Sequence, residues 1–185
     1  MIVLGVDPGT LITGYGIIES RNGKVKVLSS DAIKNDSTKS MPLRLKLIYT
    51  RLAEVINKYH PDEFAIETAF YGKNAQSALK LGHARGVAML AAVSHEIPTQ
   101  EYSPREVKKA IVGNGNASKQ QVQYMVKSLL KLKQVPKYYD TTDAIAVALC
   151  HLQRVIQPRR RFKDWKSFVT VHPEKLSSSH KSRKQ

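Results

Sequence analysis

Four acidic residues stand at the ends of apolar segments, where metal-assisted phosphoryl transfer would need them. They are Asp7, Glu67, Asp140 and Asp143. The first two each follow a short apolar run, and the last two precede the apolar segment 144–149. A carboxylate at the end of a buried element is costly unless an opposite charge compensates it. We therefore expect a cation beside these acids.

The expected cation is Mg²⁺, with two ions per site and Mn²⁺ as a substitute. Mg²⁺ prefers oxygen ligands and keeps several waters, so a few carboxylates suffice. Two such ions about 3.5–4 Å apart can activate water and relieve charge on a phosphate and its leaving oxygen. Asp140 and Asp143 share one helix face, since they are three positions apart. At the start of a helix, both could face the sheet edge that holds Asp7 and Glu67.

Each acid also has a purely structural interpretation. Asp140 could be a helix N-cap, and Asp143 could favour the positive end of the helix dipole. Asp7 could cap the turn at 8–9, and Glu67 could pair with a lysine. Each alternative is individually as good as metal binding. All four together leave the position of the acids in so basic a chain unexplained.

The composition describes a basic globular protein of 185 residues with a net charge of +15. A charge excess of this size indicates an acidic partner such as nucleic acid. We expect no membrane association, because no apolar run approaches the ~20 residues that span a bilayer. The absence of a basic leader and the single Cys150, interpreted as a core residue, predict a cytoplasmic protein.

The charge is concentrated towards the C-terminal end. Residues 154–185 carry ten Lys/Arg and two acids. We expect one folded domain over 1–157 and a basic tail over 158–185. The last part of the tail has the composition of a disordered segment. The tail is interpreted either as a solubilising segment or as an arm that contacts DNA.

The hydrophobic pattern predicts an α/β domain with a mixed sheet. Asn22-Gly23 predicts a hairpin, and Ser103 and Ser118 each begin a capping box. The predicted strands are 2–7, 14–19, 24–29, 63–67 and 99–102; the predicted helices are 42–59, 73–95, one from 104, one from about 119 to Pro136, and 140–156. If the first and fourth strands are parallel neighbours, Asp7 and Glu67 lie together at their carboxyl ends.

Several motifs together resemble those of the RuvC family of bacterial Holliday-junction resolvases. The resemblance runs from residue 1 to about 153 and rests on segments 5–10, 13–16, 65–67, 73–82 and 140–144. It implies a ribonuclease-H-like five-stranded sheet flanked by helices, a homodimer and Mg²⁺. It also implies paired cuts in four-way junction DNA and cooperation with the RuvA–RuvB branch-migration motor. By this resemblance, Asp7, Glu67, Asp140 and Asp143 match the four metal-binding acids.

The resemblance also suggests residues that bind DNA. An aromatic residue at Phe70 would stack on or wedge between bases at the crossover, with Tyr71, Lys73 and Asn74 beside it. The structural alternative is that the two aromatics pack in the core. Lys108 and Lys119 match lysines near the scissile phosphate, and Lys119 opens a helix whose N-terminus already favours anions.

The helix after Lys73 carries small residues at four-residue spacing: Ala78, Gly82 and Gly86. Glycines inside a helix cost about 1 kcal/mol each relative to alanine, so close approach of another element is expected. That element is either the chain's own sheet or, as the resemblance implies, a second copy. Arg85 could contact DNA or form an ion pair at the dimer face.

Three other functions remain open at this point. An actin-like ATPase or sugar kinase would need a second domain and a second glycine-rich phosphate loop, which this sequence lacks. A non-catalytic basic DNA-binding protein would bind junctions without cutting them. Another ribonuclease-H-like nuclease would act on a hybrid or a single strand, and the Phe70 region and the glycine-bearing helix argue against it.

Overall fold

The computed structural model describes residues 1–68, 75–134 and 136–156, and these form one sheet flanked by helices. The strands are β1 (Ile2–Asp7), β2 (Ile12–Arg21), β3 (Lys24–Lys34), β4 (Glu63–Glu67) and β5 (Thr99–Tyr102). The helices are α1 (Met41–Tyr59), α2 (Ala75–Val93), α3 (Pro104–Val112), α4 (Lys119–Leu129) and α5 (Tyr139–Ile156). The proposed tail, 158–185, lies outside the described residues.

The five strands form a mixed sheet in the order β3-β2-β1-β4-β5. Strand β2 is antiparallel to both of its neighbours, whereas β1, β4 and β5 are parallel. Val6 is level with Ile66 on the neighbouring strand, so the residues that follow them, Asp7 and Glu67, end adjacent parallel strands. The expected adjacency of the first and fourth strands is confirmed.

The β2–β3 hairpin turns at the predicted Asn-Gly pair. Asn22 and Gly23 both have positive φ, 51° and 72°, as a type I′ turn requires. Strand β3 is longer than the sequence predicted, because its pairing with β2 continues to Ile12 opposite Lys34. An irregularity in the register between Ile17 and Ile18 marks where the alternation that identifies a strand is interrupted.

Both predicted capping boxes are present, at Ser103 and at Ser118. In each, the serine side chain accepts a hydrogen bond from the backbone amide three residues later. The side chain of that later residue accepts one from the backbone amide of the serine. The predicted end of α4 at Pro136 is wrong, since the helix ends at Leu129. Lys131 adopts a left-handed φ of 49°, which turns the chain away before the proline is reached.

The sheet separates two hydrophobic cores. Helices α3, α4 and α5 cover one face, where Val3 and Ala65 are buried, and α1 and α2 cover the other, where Val6 and Ile66 are buried. Successive side chains of a strand point to opposite faces. Asp7, the residue after Val6, therefore points to the opposite face, which α5 covers. Glu67, the residue after Ile66, points to the same α5 face.

Helix α5 packs directly on the backbones of β1 and β2. A Cβ atom at Gly5 would collide with the carbonyl oxygen of Ala144, and one at Gly14 with that of Asp140. At Gly16 a Cβ would lie 2.6 Å from Cγ1 of Ile145. Only glycine allows the helix to come this close. Cys150, on the same helix, is buried as predicted.

In the described ranges, no helix combines the length and apolar character that crossing a membrane requires.

The glycine contact predicts a sharp sensitivity at Gly14. The Gly14→Ala substitution should lower the free energy of unfolding by at least ~1–3 kcal/mol, because the methyl group overpacks against helix backbone that has no room to move. Chemical denaturation followed by circular dichroism measures this change. The control is Ser128→Ala, at an exposed position of α4 outside both the sheet and the proposed dimer face, where helix propensity improves. Equal stability of the Gly14→Ala and wild-type proteins would contradict the close packing.

Candidate metal and phosphate site

Three of the predicted acids and both predicted phosphate lysines line one cavity at the carboxyl end of β1 and β4. The cavity volume is 280 Å³. Its lining is Asp7, Glu67, Pro104, Val107, Lys108, Lys119, Val122 and Asp143. Asp140 lies in the first turn of α5 and its backbone contacts Gly14, one helical turn before Asp143. The acids that are far apart in the sequence therefore collect at one edge of the sheet.

The fold fixes the acids by backbone packing. Asp7 and Glu67 end adjacent parallel strands, roughly 4.8 Å apart across the sheet, and their side chains share one face. Asp143 reaches that face because the glycines of β1 and β2 admit the N-terminal turns of α5. Since α5 begins at Tyr139, Asp140 lies inside the first turn rather than at the N-cap. The helix dipole favours both aspartates but does not account for Asp7 or Glu67.

Thr13 ties the turn that follows Asp7. Its hydroxyl donates to the carbonyl oxygen of Gly9 at 2.6 Å and accepts from the Gly9 amide at 3.3 Å. The Asn35 side chain donates to the Thr10 carbonyl at 3.1 Å. The turn is thus capped by Thr13 and Asn35, whereas the sequence suggests Asp7 as the capping alternative and no role for Asn35. The short spacing of Thr13 from Gly9 was the signal that could have identified the threonine.

Burial and mutual repulsion hold protons on two of the acids. Desolvation, followed by the charges of Asp143 and Asp140, raises the pKa of Asp7 to about 7. Desolvation, followed by the charges of Asp7 and Asp143, raises the pKa of Glu67 to about 8. Desolvation likewise raises the pKa of Asp143. The site has more negative charge than its surroundings compensate.

Lys119 supplies part of the missing positive charge. Its Nζ lies 3.4 Å from a carboxylate oxygen of Asp143. Desolvation, the largest single effect, lowers the pKa of Lys119, but the combined attraction of Asp143, Asp7 and Asp140 outweighs it and the net shift is upward. The lysine is the first residue of α4, after the Ser118 capping box. The charges of Lys119 and Lys108 also lower the pKa of Glu67, although desolvation dominates.

The donor set suits a hard divalent cation. All the acids offer oxygen, and two of them lie where burial opposes ionisation unless a positive charge is added. Among the described side chains, no three acids, histidines or cysteines are already drawn together as a metal-binding group. The residue types fit the ion, and a bound cation would have to draw the carboxylates inward.

The other predicted site residues fall into two groups. Phe70, Tyr71, Lys73 and Asn74 lie outside the described residues. The dimer candidates lie on α2, where a Cβ at Gly82 or Gly86 would contact no other residue in the described ranges and Ala78 is partly exposed.

The glycines of α2 do not pack on the chain's own sheet, which was one of the two alternatives. Helix α2 instead buries Ala84 and Ala88 in the core. Arg85 forms an ion pair with Glu101 of β5, a partner that the sequence did not reveal.

Comparison with known proteins identifies the family. Residues 3–151 match the family model described as crossover junction endodeoxyribonuclease RuvC. The RuvC protein of Salinibacter ruber is 45% identical over 178 residues, covering 96% of this chain and 99% of that protein. The RuvC of Alkaliphilus metalliredigens is 52% identical over 151 residues, covering 82% of this chain and 92% of that protein.

Solved structures agree with the sequence comparison. The Thermus thermophilus RuvC in complex with Holliday junction substrate matches with a TM-score of 0.81 and 31% identity over 85% of this chain and 96% of that one. The yeast mitochondrial Holliday junction resolvase Ydc2, 15% identical with a TM-score of 0.63, shares the fold. The expected ribonuclease-H-like architecture is confirmed, and the chain belongs to the crossover junction endodeoxyribonuclease RuvC family.

Proposed function

We propose that this chain is a divalent-metal-dependent endonuclease that resolves Holliday junctions by paired, symmetric cuts. The observation that carries the proposal is the cavity in which Asp7, Glu67 and Asp143 meet Lys108 and Lys119. Acids for a metal and cations for a phosphate are what phosphodiester hydrolysis needs in one place. Family membership supports the enzyme class. The products would be a 5′-phosphate and a 3′-hydroxyl.

The metal ligands would be Asp7, Glu67, Asp140 and Asp143, with Asp7 at the end of the central strand of the sheet. Dependence on a divalent metal is common to the family's nucleases. We propose Mg²⁺, two ions per site, with Mn²⁺ as a substitute. When bound, the ions would supply charge relief on the phosphate and a more acidic water. The carboxylates would hold them and, once compensated, stay ionised at neutral pH.

The lysines would position the DNA backbone. Lys119 lies at the N-terminus of α4, where the helix dipole also attracts anions. Its side chain is 64% exposed, so a phosphate can approach its Nζ while Asp143 pairs with the same Nζ from the cavity side. Lys108, on α3, faces the same cavity from the other side. Phe70, Tyr71, Lys73 and Asn74 are proposed, by resemblance alone, to contact the junction.

The working unit would be a homodimer formed through α2. The proposal is supported by apolar side chains that α2 exposes beside its glycines, with Leu79 62%, Leu90 55% and Val93 60% exposed. A two-fold dimer would present equivalent active sites to a substrate with two-fold symmetry. By resemblance, the protein would cooperate with RuvA and RuvB on junction DNA in the cytoplasm.

Removing Asp7 tests the metal site. The Asp7→Asn substitution should abolish cleavage of a mobile four-way junction with Mg²⁺, because one proposed carboxylate ligand loses its charge, while junction binding survives. Strand-resolved gels and mobility shifts measure the two properties. Asp31→Asn, at an exposed position on β3, is the matched control and should cut normally. Full cutting by the Asp7→Asn protein would remove Asp7 from the mechanism.

Proton binding at the site should appear in the stability of the metal-free protein. Asp7 and Glu67 have folded-state pKa values of about 7 and about 8, far above the ~4 of unfolded carboxyls. The folded protein therefore holds protons that the unfolded chain has lost, and stability falls as pH rises from 4 through 8. In EDTA, Asp7→Asn should be more stable than wild type at pH 8 by at least ~1 kcal/mol, but not at pH 4. If the stability difference between Asp7→Asn and wild type is the same at pH 4 and pH 8, the raised pKa of Asp7 is contradicted.

Lys119 is predicted to act on the phosphate. Lys119→Met should lower the single-turnover cleavage rate by about 10²-fold, as expected for the loss of one preorganised charge, with little change in junction affinity. Lys127→Met, on the exposed side of the same helix, controls for lost basic charge. If both variants lose the same modest activity, Lys119 contributes only to the general attraction of DNA.

The proposed dimer face can be tested at Gly86. The Gly86→Glu substitution should convert the dimer to a monomer in analytical ultracentrifugation, because it adds bulk and charge where two helices would meet. A Cβ at Gly86 meets none of the residues that the structure describes, so the circular dichroism spectrum should not change. An unaltered dimer would exclude this face of α2 from the interface.

A further inference from the structure

An apolar groove lies at the end of α5 that is remote from the acidic cavity. Its apolar lining is formed by Val25, Leu129, Leu130, Leu149, Leu152 and Ile156, and we call it the α5 groove. Asp143 and Ile156 are thirteen positions apart on the helix, which is about 20 Å at 1.5 Å per residue. The groove is therefore a separate surface and is not part of the proposed nuclease site.

The groove has a buried floor and an exposed rim. Leu149 and Leu152 belong to the core and are 5% and 3% exposed, whereas Leu129 and Ile156 on the rim are 48% and 57% exposed. The volume is 240 Å³, below the roughly 300–1,000 Å³ of small-molecule pockets. A groove of this size and lining suits one or two large apolar side chains. Exposed apolar surface of this kind commonly marks a contact site.

The sequence that follows the groove supplies such side chains. Phe162, Trp165, Phe168 and Val169 occur within eight residues and include the chain's one tryptophan and two of its four phenylalanines. At 3.6 residues per turn their spacing would place all four within about 120° of a helix face. Basic and polar residues fill the positions between them. A segment that serves only to add charge has no need for aromatic residues.

The connection between the groove and this segment is short. Ile156 is both a rim residue of the groove and the last residue described before the segment. Five residues, 157–161, separate it from Phe162 and span roughly 20 Å at most. Pro158 disfavours continuation of α5 and favours a change of direction. A short connection gives an attached segment an effective concentration of about millimolar, which a free partner must exceed.

We propose that segment 162–169 folds back onto its own chain and places Trp165 in the α5 groove. The aromatic side chains would cover the apolar rim, since each can bury roughly 150–250 Å². Docking would also hold the basic residues 159–161 against the body of the protein. The C-terminal extension would then be an anchored part of the domain with a basic strap, instead of a tail that is free from residue 158 onward.

The indole of Trp165 reports on this contact in the full-length protein. Tryptophan emission should be shifted to short wavelength and weakly quenched by acrylamide. In a Leu129→Asp/Ile156→Asp double variant the emission should move to long wavelength and quenching should rise severalfold. Both positions are on the rim, so the core remains closed. Val155→Asp, an adjacent site that is 46% exposed and does not line the groove, should leave emission unchanged.

Emission typical of a water-exposed indole in the wild-type protein would overturn the proposal. So would short-wavelength emission that the rim variant does not alter, since Trp165 would then be buried elsewhere. A thermal-unfolding cycle provides a second measurement: Trp165→Ser should lower the Tm of the wild-type protein but not that of the rim variant. Equal losses of Tm in both backgrounds would count against the contact.

Mixing distinguishes docking within one chain from docking onto a second copy. The rim variant, which keeps Trp165, is combined with a Trp165→Phe chain, which keeps an intact groove. If the segment docks on its own chain, the long-wavelength emission of the rim variant persists in the mixture. A return to short wavelength would show that the groove accepts the segment of another copy, and the proposal would be overturned.

Discussion

The close approach of α5 to the backbones of β1 and β2 is the contact on which the proposed metal site depends. Glycine at positions 5, 14 and 16 leaves no side chain between helix and sheet, so the first turns of α5 reach the carboxyl edge of the parallel strands. Asp143 is thereby brought to Asp7 and Glu67. A larger residue at these positions would move the helix outward and carry two acids away from the other two.

The same packing creates an electrostatic conflict. Desolvation and repulsion raise the pKa of Asp7 and of Glu67, so the metal-free protein holds protons at the positions where it needs negative charge. Lys119 relieves only part of this conflict, because it pairs with Asp143 and is largely exposed. A bound divalent cation would relieve the rest, since it would be attracted by all the carboxylates at once. The unfavourable charge of the metal-free site would then favour binding of the metal.

Much of this arrangement could be predicted from the sequence, because local rules determine it. The Asn22-Gly23 turn, the two capping boxes and strand β4 follow from backbone preference and alternation. The acids were recognisable because they end apolar runs in a basic chain. Residues beyond Ile156 and at 69–74 lie outside the described structure, and their roles remain predictions.

What the sequence did not reveal depends on contacts between distant residues. The end of α4 at Leu129 follows from the left-handed Lys131, which no local motif marks. Gly82 and Gly86 point outward because α2 turns its alanines towards the core, and this orientation depends on the packing of the whole helix. The pairing of Arg85 with Glu101 joins a helix to a strand that lies beyond it in the chain.

We propose that the fold holds protons on Asp7 and Glu67 near neutral pH and that a divalent cation displaces those protons. Carbon NMR of their side-chain carboxyl groups, titrated with pH in the presence of EDTA and again with Mg²⁺, tests it directly. We expect a pKa of about 7 for Asp7 and of about 8 for Glu67 without metal. With Mg²⁺, both carboxylates should be ionised at neutral pH. Ordinary pKa values near ~4 in EDTA, or a titration that Mg²⁺ does not change, would contradict it.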